Sequence, residues 1–221
     1  SGFTQEDIGQ QVESFVRHFG FVPNTVVFHW VRWYGWTEPA QWLAELGVRG
    51  DNSKHNVPAF KLNPTNTLGY AFGTSFPYHA WTDWHSGNCR LDFVFQPITA
   101  YECGYDRETD TTDFAALHQA LRQARQWGLT TELFYHSVNL TWYPSCRRAV
   151  EEVQRWLAEE GVRAVHMGND RLTNWWAARE GVEVVAERRD GGMVVTTDCS
   201  WPDGCTLRLP GSWQARDMQA V

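Results

Sequence analysis

The sequence predicts an α/β fold built from parallel β/α units, with a small antiparallel β element at its C-terminal end. Two patterns indicate this fold class. An amphipathic helix, a glycine and an apolar or β-branched run follow one another five times along the chain. After residue 182 the helices stop, and short runs of alternating apolar and polar residues are separated by Gly-containing turns. The pattern alone does not distinguish a closed barrel from an open sheet.

Each predicted helix has apolar residues on one face and ends at or near a glycine. The first has Thr4 as its N-cap and Gly20 as its left-handed stop. The fourth starts at Pro144, because proline is favoured in the first helical turn. The five predicted helices cover residues 4–19, 38–46, 113–127, 144–160 and 171–180.

A short apolar or β-branched run follows each of these helices and predicts a strand. These five predicted strands cover residues 25–30, 48–51, 130–136, 162–167 and 182–186. Residues 52–110 form a long insertion with one further predicted strand, 91–98. We therefore predict a β/α domain at residues 1–181. The antiparallel element, with strands at 183–188, 192–198 and 205–209, occupies residues 182–221.

The composition excludes some functions and favours others. The 221 residues carry a formal net charge of -7, which argues against a general nucleic-acid binder. No apolar run reaches the roughly 18 residues of a membrane span. Thirteen Trp residues are far above ordinary use, and aromatic rings at this density either fill a core or line a groove for flat ligands such as sugars. Both readings remain open from composition alone.

The cysteines leave the disulfide state open. Five Cys is an odd number, so at least one thiol is unpaired within the chain. Cys199 and Cys205 flank a turn and are candidates to pair, as are Cys89 and Cys103. These possible pairs slightly favour an extracytoplasmic location. The sequence predicts no oligomeric state.

In parallel β/α folds the functional side chains gather at the carboxyl ends of the strands. The predicted strand ends carry His29, Asp51, His136 and, more weakly, His166. His136 is a candidate general acid or base, or a metal ligand; the alternative is a buried histidine bonded to the backbone. Asp51 can orient a histidine or bind a metal, but Asp-Asn-Ser is also an ordinary turn sequence.

The tryptophans near one strand exit and in the insertion predict a saccharide groove, because sugar rings stack on indole. Two further histidines of the insertion, His79 and His85, are candidate metal ligands together with His29. The candidate substrate-binding residues are His29, Trp30, Trp33, Trp36, Trp81 and Trp84.

Several stretches, taken in order, resemble polysaccharide deacetylase-like (NodB homology) domains. They are FGFVPNT at residues 19–25 leading into His29 and Trp30, LGVRGD at 46–51, GYAFGTSFPY at 69–78, and the apolar strand that ends at His136. The resemblance covers residues 5–180. It implies an irregular β/α barrel that removes N- or O-acetyl groups from a polysaccharide with a divalent metal, often zinc.

On this resemblance His136 is the catalytic acid, Asp51 supports the site, and the strand end at His29 and Trp30 shapes the substrate groove. The chain departs from the family pattern because no Asp-Asp motif and no His-x-x-x-His metal motif precede residue 20. Val27 replaces the usual arginine, and Glu132 lies in a strand that is normally apolar. We expect either a fragment that lacks its N-terminal units or a relative without the standard catalysis.

Two other functions compete with a deacetylase. One is a non-catalytic glycan-binding module that uses the aromatic groove. The other is an unrelated metal-dependent hydrolase whose ligands are the histidines of the insertion and Asp51.

Overall fold

The computed structural model of the chain describes residues 3–55, 74–105, 114–190, 192–199 and 201–202. The chain divides into two compact units, Ser1–Thr173 and Asn174–Val221. The first unit contains the four predicted strand ends that carry candidate functional residues, and all the candidate site residues. The second contains the antiparallel β element.

Five of the described helices correspond to those predicted from apolar periodicity, whereas the short helix Ser137–Trp142 was not predicted. The helices are α1 (Gln5–Phe19), α2 (Glu38–Glu45), α3 (Ala115–Trp127), α4 (Ser137–Trp142) and α5 (Pro144–Glu159), and α6 (Asn169–Glu180) extends across the division between the units. Thr4 caps α1, since its hydroxyl accepts a hydrogen bond from the Asp7 amide at 3.1 Å. Gly20 ends the helix with φ of +80°, as predicted.

The strands of the first unit form two small sheets. The strands are β1 (Thr25–Val26), β2 (Gly50–Lys54), β3 (Tyr78–Trp81), β4 (Arg90–Pro97), β5 (Ala100–Tyr101) and β6 (Leu133–Phe134). One sheet has the order β1-β2-β4-β3, in which β3 is antiparallel to β4 and the other pairings are parallel. The second sheet is the parallel pair β5-β6.

The segment that leaves β4 connects the two sheets. The amide of Ile98 donates to the Lys54 carbonyl at 2.7 Å, and the amide of Ala100 donates to the Glu132 carbonyl at 2.8 Å. The chain therefore passes from pairing with β2 to pairing beside β6 within three residues. The carboxyl ends of the parallel strands β5 and β6 point in the same direction, and the ring of His55, directly after β2, stacks on Tyr101 at the end of β5.

Two apolar clusters support these sheets. The first packs α1 and α2 on the four-stranded sheet and contains Ile8, Val12, Ala40, Leu43, Val48, Ala80, Phe93 and Phe95. The second packs α3 and α5 beside β5 and contains Ala100, Cys103, Leu117, Leu121, Ala149, Val153 and Trp156. Burial of each large side chain contributes about 1.5–3 kcal/mol, so the helix faces predicted from periodicity hold the strand ends in place.

Three predicted parallel strands differ in extent from the observed ones. The strand predicted at 25–30 ends at Val26, because the chain enters a 3-10 turn in which Trp30 and Val31 have φ of +60° and +46°. The strand predicted at 48–51 instead covers Gly50–Lys54, so Asp51 lies inside the strand and not at its end. The strand predicted at 130–136 is reduced to Leu133–Phe134.

The run at 162–167 forms no strand, and that prediction was wrong. Val165 is 75% exposed, and no described strand pairs with the run. An apolar run becomes a strand only when a neighbour accepts its backbone hydrogen bonds, which the sequence pattern does not report. The predicted insertion also contains more structure than its single predicted strand, because β3 and β5 lie in it as well as β4. Residues 56–73 of the insertion lie outside the described part of the chain.

In the second unit, β7 (Glu183–Arg189) and β8 (Gly192–Asp198) form an antiparallel hairpin in full register from Glu183↔Asp198 to Arg189↔Gly192. The first two predicted strands of this element are confirmed. The prediction of a parallel strand at 182–186 was wrong, because these residues belong to the antiparallel hairpin. The third predicted strand, 205–209, lies outside the described residues.

The chain is therefore a mixed α/β protein with parallel sheet parts and a small C-terminal antiparallel β pair, as predicted. Among the described residues, no helix is long and apolar enough to cross a membrane. Cys89 and Cys103 are both free thiols, the first exposed and the second buried, so their suggested pairing was wrong. Cys199 is also free, and its suggested partner Cys205 lies outside the described residues.

Candidate functional site

Three parallel strand ends present polar and aromatic side chains to one edge of the sheets. Lys54 and His55 come at the end of β2, Tyr101 and Glu102 at the end of β5, and His136 two residues after β6. This edge is where parallel β/α folds place their functional groups. Rings from all three strand ends meet there, so it is the candidate site.

His136 and Glu102 form the central pair of this edge. The carboxylate oxygen Oε1 of Glu102 accepts hydrogen bonds from the His136 amide at 2.7 Å and from the imidazole Nδ1. The Glu102 side chain is 3% exposed, whereas that of His136 is 48% exposed. A buried carboxylate thus fixes one ring nitrogen of a half-exposed imidazole, and the opposite nitrogen, Nε2, is left for proton transfer.

The turn after β5 holds Glu102 in an unusual conformation. Glu102 has φ of +52°, a left-handed conformation that non-glycine residues seldom adopt. Gly104 follows with φ of +87°, and a Cβ there would lie 2.4 Å from the Ser145 carbonyl oxygen. Only glycine fits this approach, which packs the turn directly against the start of α5. Strained residues of this kind cluster at functional sites, which supports the choice of this edge.

Aromatic rings surround the pair. His55 stacks on Tyr101 with ring centroids 5.5 Å apart, and Tyr101 stacks on Phe134 at 5.2 Å with an interplanar angle of 7°. His136 stands edge-on to Tyr101 at 6.4 Å and to Phe134 at 5.4 Å. The imidazole therefore contacts the Glu102 carboxylate and two aromatic rings, while part of it remains open to solvent.

Asp51 is fully buried inside β2. Its carboxylate accepts hydrogen bonds from the Ser53 amide at 2.9 Å and from the Ser53 hydroxyl at 2.6 Å. Burial raises the pKa of Asp51 to about 6, although both bonds from Ser53 oppose the rise. The Ser53 hydroxyl also accepts from the Phe28 amide at 2.8 Å. Asp51 therefore supports the strand end through Ser53 and does not face solvent.

Lys54 lies between two aromatic rings at the end of β2. Its ammonium is 3.8 Å from the Trp33 ring centroid and 4.7 Å from that of Phe95. Burial lowers its pKa to about 8, and the nearby Asp51 charge partly opposes this decrease. Trp33, a predicted substrate-binding residue, is half-buried and packs edge-on against Phe28 and Phe95 at 5.7 and 5.1 Å.

The other predicted aromatic residues are more exposed. Trp36 is 69% exposed and Trp84 is 73% exposed, while Trp30 and Trp81 are about half exposed. The Trp30 ring is covered on one side by the Arg32 guanidinium, 4.9 Å from its centroid. These four indoles present flat apolar area to solvent in the first unit.

The predicted metal ligands His29, His79 and His85 occupy different environments. His29 is exposed in the 3-10 turn after β1, and His85 is exposed in a second such turn, Trp84–Ser86. His79 is half-buried in β3, where its Nδ1 lies 3.1 Å from the Leu91 carbonyl oxygen. Within the described ranges, no three His, Cys, Asp or Glu side chains are grouped so that they could hold a metal ion. The expected zinc site therefore stays a prediction.

The sequence reasoning identified His136 but missed its partner. Glu102, Lys54, His55 and Tyr101 belong to the same edge, yet Glu102 and Tyr101 follow the predicted end of the strand at Ile98. A polar residue at the end of a long apolar run, directly before Cys103 and Gly104, was the available signal for Glu102. His55 lay in the predicted insertion and gave no comparable signal.

Comparisons of this chain with protein-family models, with curated proteins and with solved structures found no match.

Proposed function

We propose that the chain is a carbohydrate-active hydrolase that removes acetyl groups from a glycan, with His136 as general acid and Glu102 as its positioning residue. The observation that carries the proposal is the buried Glu102 carboxylate bonded to Nδ1 of a half-exposed imidazole at the strand ends. The order of motifs that resembles polysaccharide deacetylase-like domains ends at this same histidine.

The chemistry follows from the two imidazole nitrogens. Water adds to the acetyl carbonyl, and the bond from that carbon to the sugar nitrogen or oxygen then breaks. The departing atom needs a proton, which Nε2 of His136 supplies while Nδ1 stays bonded to Glu102. The Glu102 carboxylate fixes the orientation of the ring. The proton that the attacking water loses passes to the solvent and makes up for the one that His136 gives up, so acetate and the deacetylated sugar are the products.

Asp51 contributes indirectly to this proposal. Its bonds to Ser53 fix the end of β2, which carries Lys54 and His55 to the edge. The ring of His55 in turn packs on Tyr101, one residue before Glu102. Asp51 is therefore proposed as a supporting residue that does not contact the substrate.

The exposed indoles support a carbohydrate as the substrate. Trp30, Trp36, Trp81 and Trp84 offer flat apolar faces, and the net charge of -7 disfavours a polyanionic glycan. The resemblance further implies an irregular β/α barrel and a zinc ion, and both remain part of the proposal. No step above depends on zinc, because the described residues do not place three ligands together.

The proposal is tested by acetate release from N-acetylated and O-acetylated oligosaccharides. We expect His136→Ala to lower kcat/KM by about 10²–10⁴-fold, as loss of a general acid does. His118→Ala is the matched control, because His118 also bonds a buried carboxylate, that of Glu152, but lies on α3 away from the strand ends. Equal, non-zero activity of parent and His136→Ala would remove His136 as the acid.

A non-catalytic glycan-binding module is the second candidate, and the high exposure of Trp36 and Trp84 favours it. In that case the parent releases no acetate, yet an oligosaccharide quenches its tryptophan fluorescence. Trp36→Ala and Trp84→Ala then weaken the quenching, and His136→Ala leaves it unchanged.

A further inference from the structure

A second polar cluster lies among β2, β4 and the first turn of α6, and it shares no residue with the Glu102–His136 pair. Its members are Asn52, Gln96, Glu132 and Asn169. Asn52 and Gln96 are 2% and 1% exposed. Side chains this polar are buried only when partners compensate for the loss of water.

Hydrogen bonds join these four residues into a ring. The side-chain Nδ2 of Asn52 donates to the main-chain carbonyl of Gln96 at 2.8 Å. The side-chain Nε2 of Gln96 donates to the main-chain carbonyl of Asn169 at 2.8 Å. The side-chain amides of Asn169 and Asn52 both bond to the Glu132 carboxylate. Each member therefore contacts the next, and the ring closes through Glu132.

The donors in this ring determine how the two amide groups are oriented. Rotating either amide by 180° would place its oxygen against a carbonyl oxygen, so the nitrogens must face the carbonyls. The amide oxygens, Asn52 Oδ1 and Gln96 Oε1, are then on the side of each amide group that does not face these carbonyls. Both are buried, as is Glu132 Oε2, and none of the three has a hydrogen-bond partner among the described residues.

The two buried amide oxygens and the Glu132 carboxyl group offer oxygen atoms, and no nitrogen or sulfur, to a positive group. Oxygen atoms of carboxylate and amide groups are the ligands that Ca²⁺ and Mg²⁺ prefer, whereas zinc prefers imidazole and thiolate. Burial, and to a smaller extent the charge of Asp51, raises the pKa of Glu132 to about 8. A cation at the ring gives the amide oxygens a partner and favours the charged form of Glu132.

We propose that Asn52 Oδ1, Gln96 Oε1 and Glu132 Oε2 bind a hard cation, with oxygen ligands only, that stabilises the contact of β2 and β4 with the start of α6. Thr173 supports this placement, because its hydroxyl touches the Gln96 amide and would meet a Cβ at Gly50 at 2.8 Å. The strands and the helix thus approach closely around the ring. The site is structural, since its oxygens are closed to solvent.

The test uses the whole chain, stripped with a chelator and kept at constant ionic strength with choline chloride. CaCl₂, MgCl₂, NaCl, KCl and ZnCl₂ are titrated separately while thermal unfolding is followed by tryptophan fluorescence. We expect Ca²⁺ or Mg²⁺, or else one of the monovalent ions, to raise the midpoint by about 5–10 °C at roughly 100 times its Kd. Metal analysis of the dialysed protein then reports about one bound divalent ion if a divalent ion gives the rise.

Two variants make the assignment specific. Glu132→Gln removes the charged ligand, so the cation-dependent rise is lost although the cation-free protein still unfolds cooperatively. Glu152→Gln is the matched control, because it also neutralises a buried glutamate but leaves the ring intact, and it keeps the rise. If Glu132→Gln does not fold, Asn52→Asp replaces it: the added carboxylate lowers the cation-free midpoint and enlarges the rise.

The proposal is overturned if no hard cation changes the midpoint of the parent, which would mean that buried waters satisfy the three oxygens. It is equally overturned if the rise is the same in the parent and in Glu132→Gln. Stabilisation by zinc alone would belong to the imidazole site of the proposed hydrolase and would contradict an all-oxygen site. The result does not depend on acetate release, so the two proposals fail separately.

Discussion

The first unit contains two histidine–glutamate pairs that look alike in isolation and differ in their surroundings. In both, a partly exposed imidazole meets a buried carboxylate: His136 with Glu102, and His118 with Glu152 at 2.5 Å. The first pair lies at strand ends beside stacked aromatic rings. The second joins two helices, α3 and α5.

The two pairs differ at the carboxylate oxygen that does not bond the histidine. In Glu152 it accepts hydrogen bonds from the Arg155 guanidinium, with Nε at 2.9 Å, and these bonds lower the pKa of Glu152. In Glu102 the corresponding oxygen is buried and has no partner among the described residues. A carboxylate saturated by an arginine stabilises a helix contact, whereas one directed at a single imidazole is available to control that imidazole.

Between the two glutamates, the larger expected effect concerns Glu102. Glu102→Gln keeps the oxygen that accepts from His136 and removes only the negative charge. We expect kcat for acetate release to fall by about 10- to 100-fold with KM little changed, as is typical when a partner of a functional histidine is altered. Steady-state kinetics of the two variants Glu102→Gln and Glu152→Gln provide the measurement.

The control in this experiment is Glu152→Gln, which should keep the parent kcat. If both substitutions reduce kcat equally, the difference between the two pairs is not functional. A purely structural role of Glu102 would lower the thermal midpoint and leave kcat per folded molecule unchanged.

The next effect is on stability and concerns Glu152. Glu152→Gln removes the charge that His118 and Arg155 share, so we expect unfolding to become easier by about 1–2 kcal/mol, or about 2–8 °C in the midpoint. The pH dependence has a defined sign. Because folding lowers the pKa of Glu152 below its ordinary value of 4.5, this stabilisation is complete above pH 4.5 and disappears as the pH falls through the folded pKa.

Thermal unfolding at several pH values checks this sign. The midpoint difference between the parent and Glu152→Gln should be constant near neutrality and shrink below pH 4.5. A difference that grows on acidification would mean that Glu152 is not the paired carboxylate.

The smallest effect is expected at the cysteines beside the two pairs. Cys103 follows Glu102, Cys146 lies on α5, and both thiols are buried. Burial raises the pKa of Cys103 to about 12, so a thiol reagent at pH 8 meets almost no thiolate there. We expect the exposed Cys89 to be labelled in the native protein while Cys103 and Cys146 are protected, in the parent and in Glu152→Gln alike.

Peptide mass spectrometry after brief labelling distinguishes the outcomes. Rapid native labelling of Cys146 in Glu152→Gln would show that the glutamate, and not the apolar packing of α5, keeps the helix in place. Rapid labelling of Cys103 in the parent would contradict the close packing of the turn after Glu102.

Much of the fold was predictable because it depends on local patterns. The apolar faces of α1, α3 and α5 follow from residue spacing, and Thr4 and Gly20 mark the ends of α1 through their own chemistry. The strand β4 was predicted within one residue of its observed bounds. The run at 162–167 shows the limit, because its apolar residues look like a strand and yet no described strand pairs with them.

The candidate site was only half predictable for the same reason. His136 was identified because a titratable residue ended an apolar run. Glu102 escaped, since 34 residues separate it from His136 and only the parallel pairing of β5 with β6 brings them together. The two glutamates, Glu102 and Glu152, cannot be ranked from sequence, because each is simply an acidic residue near a helix or strand end.

The sequence by itself determined the α/β class, the helix faces, the antiparallel hairpin at 183–198 and the importance of the strand ends, because periodicity and capping act over a few residues. Only the tertiary structure decided that Asp51 is enclosed within β2 and that Trp33 packs against Lys54. It also decided that Asn52, Gln96, Asn169 and Glu132 come together. Those arrangements depend on burial and on contacts between distant segments. Burial changes the pKa of a carboxyl group and the free-energy cost of an unpaired oxygen, and no local pattern contains that information.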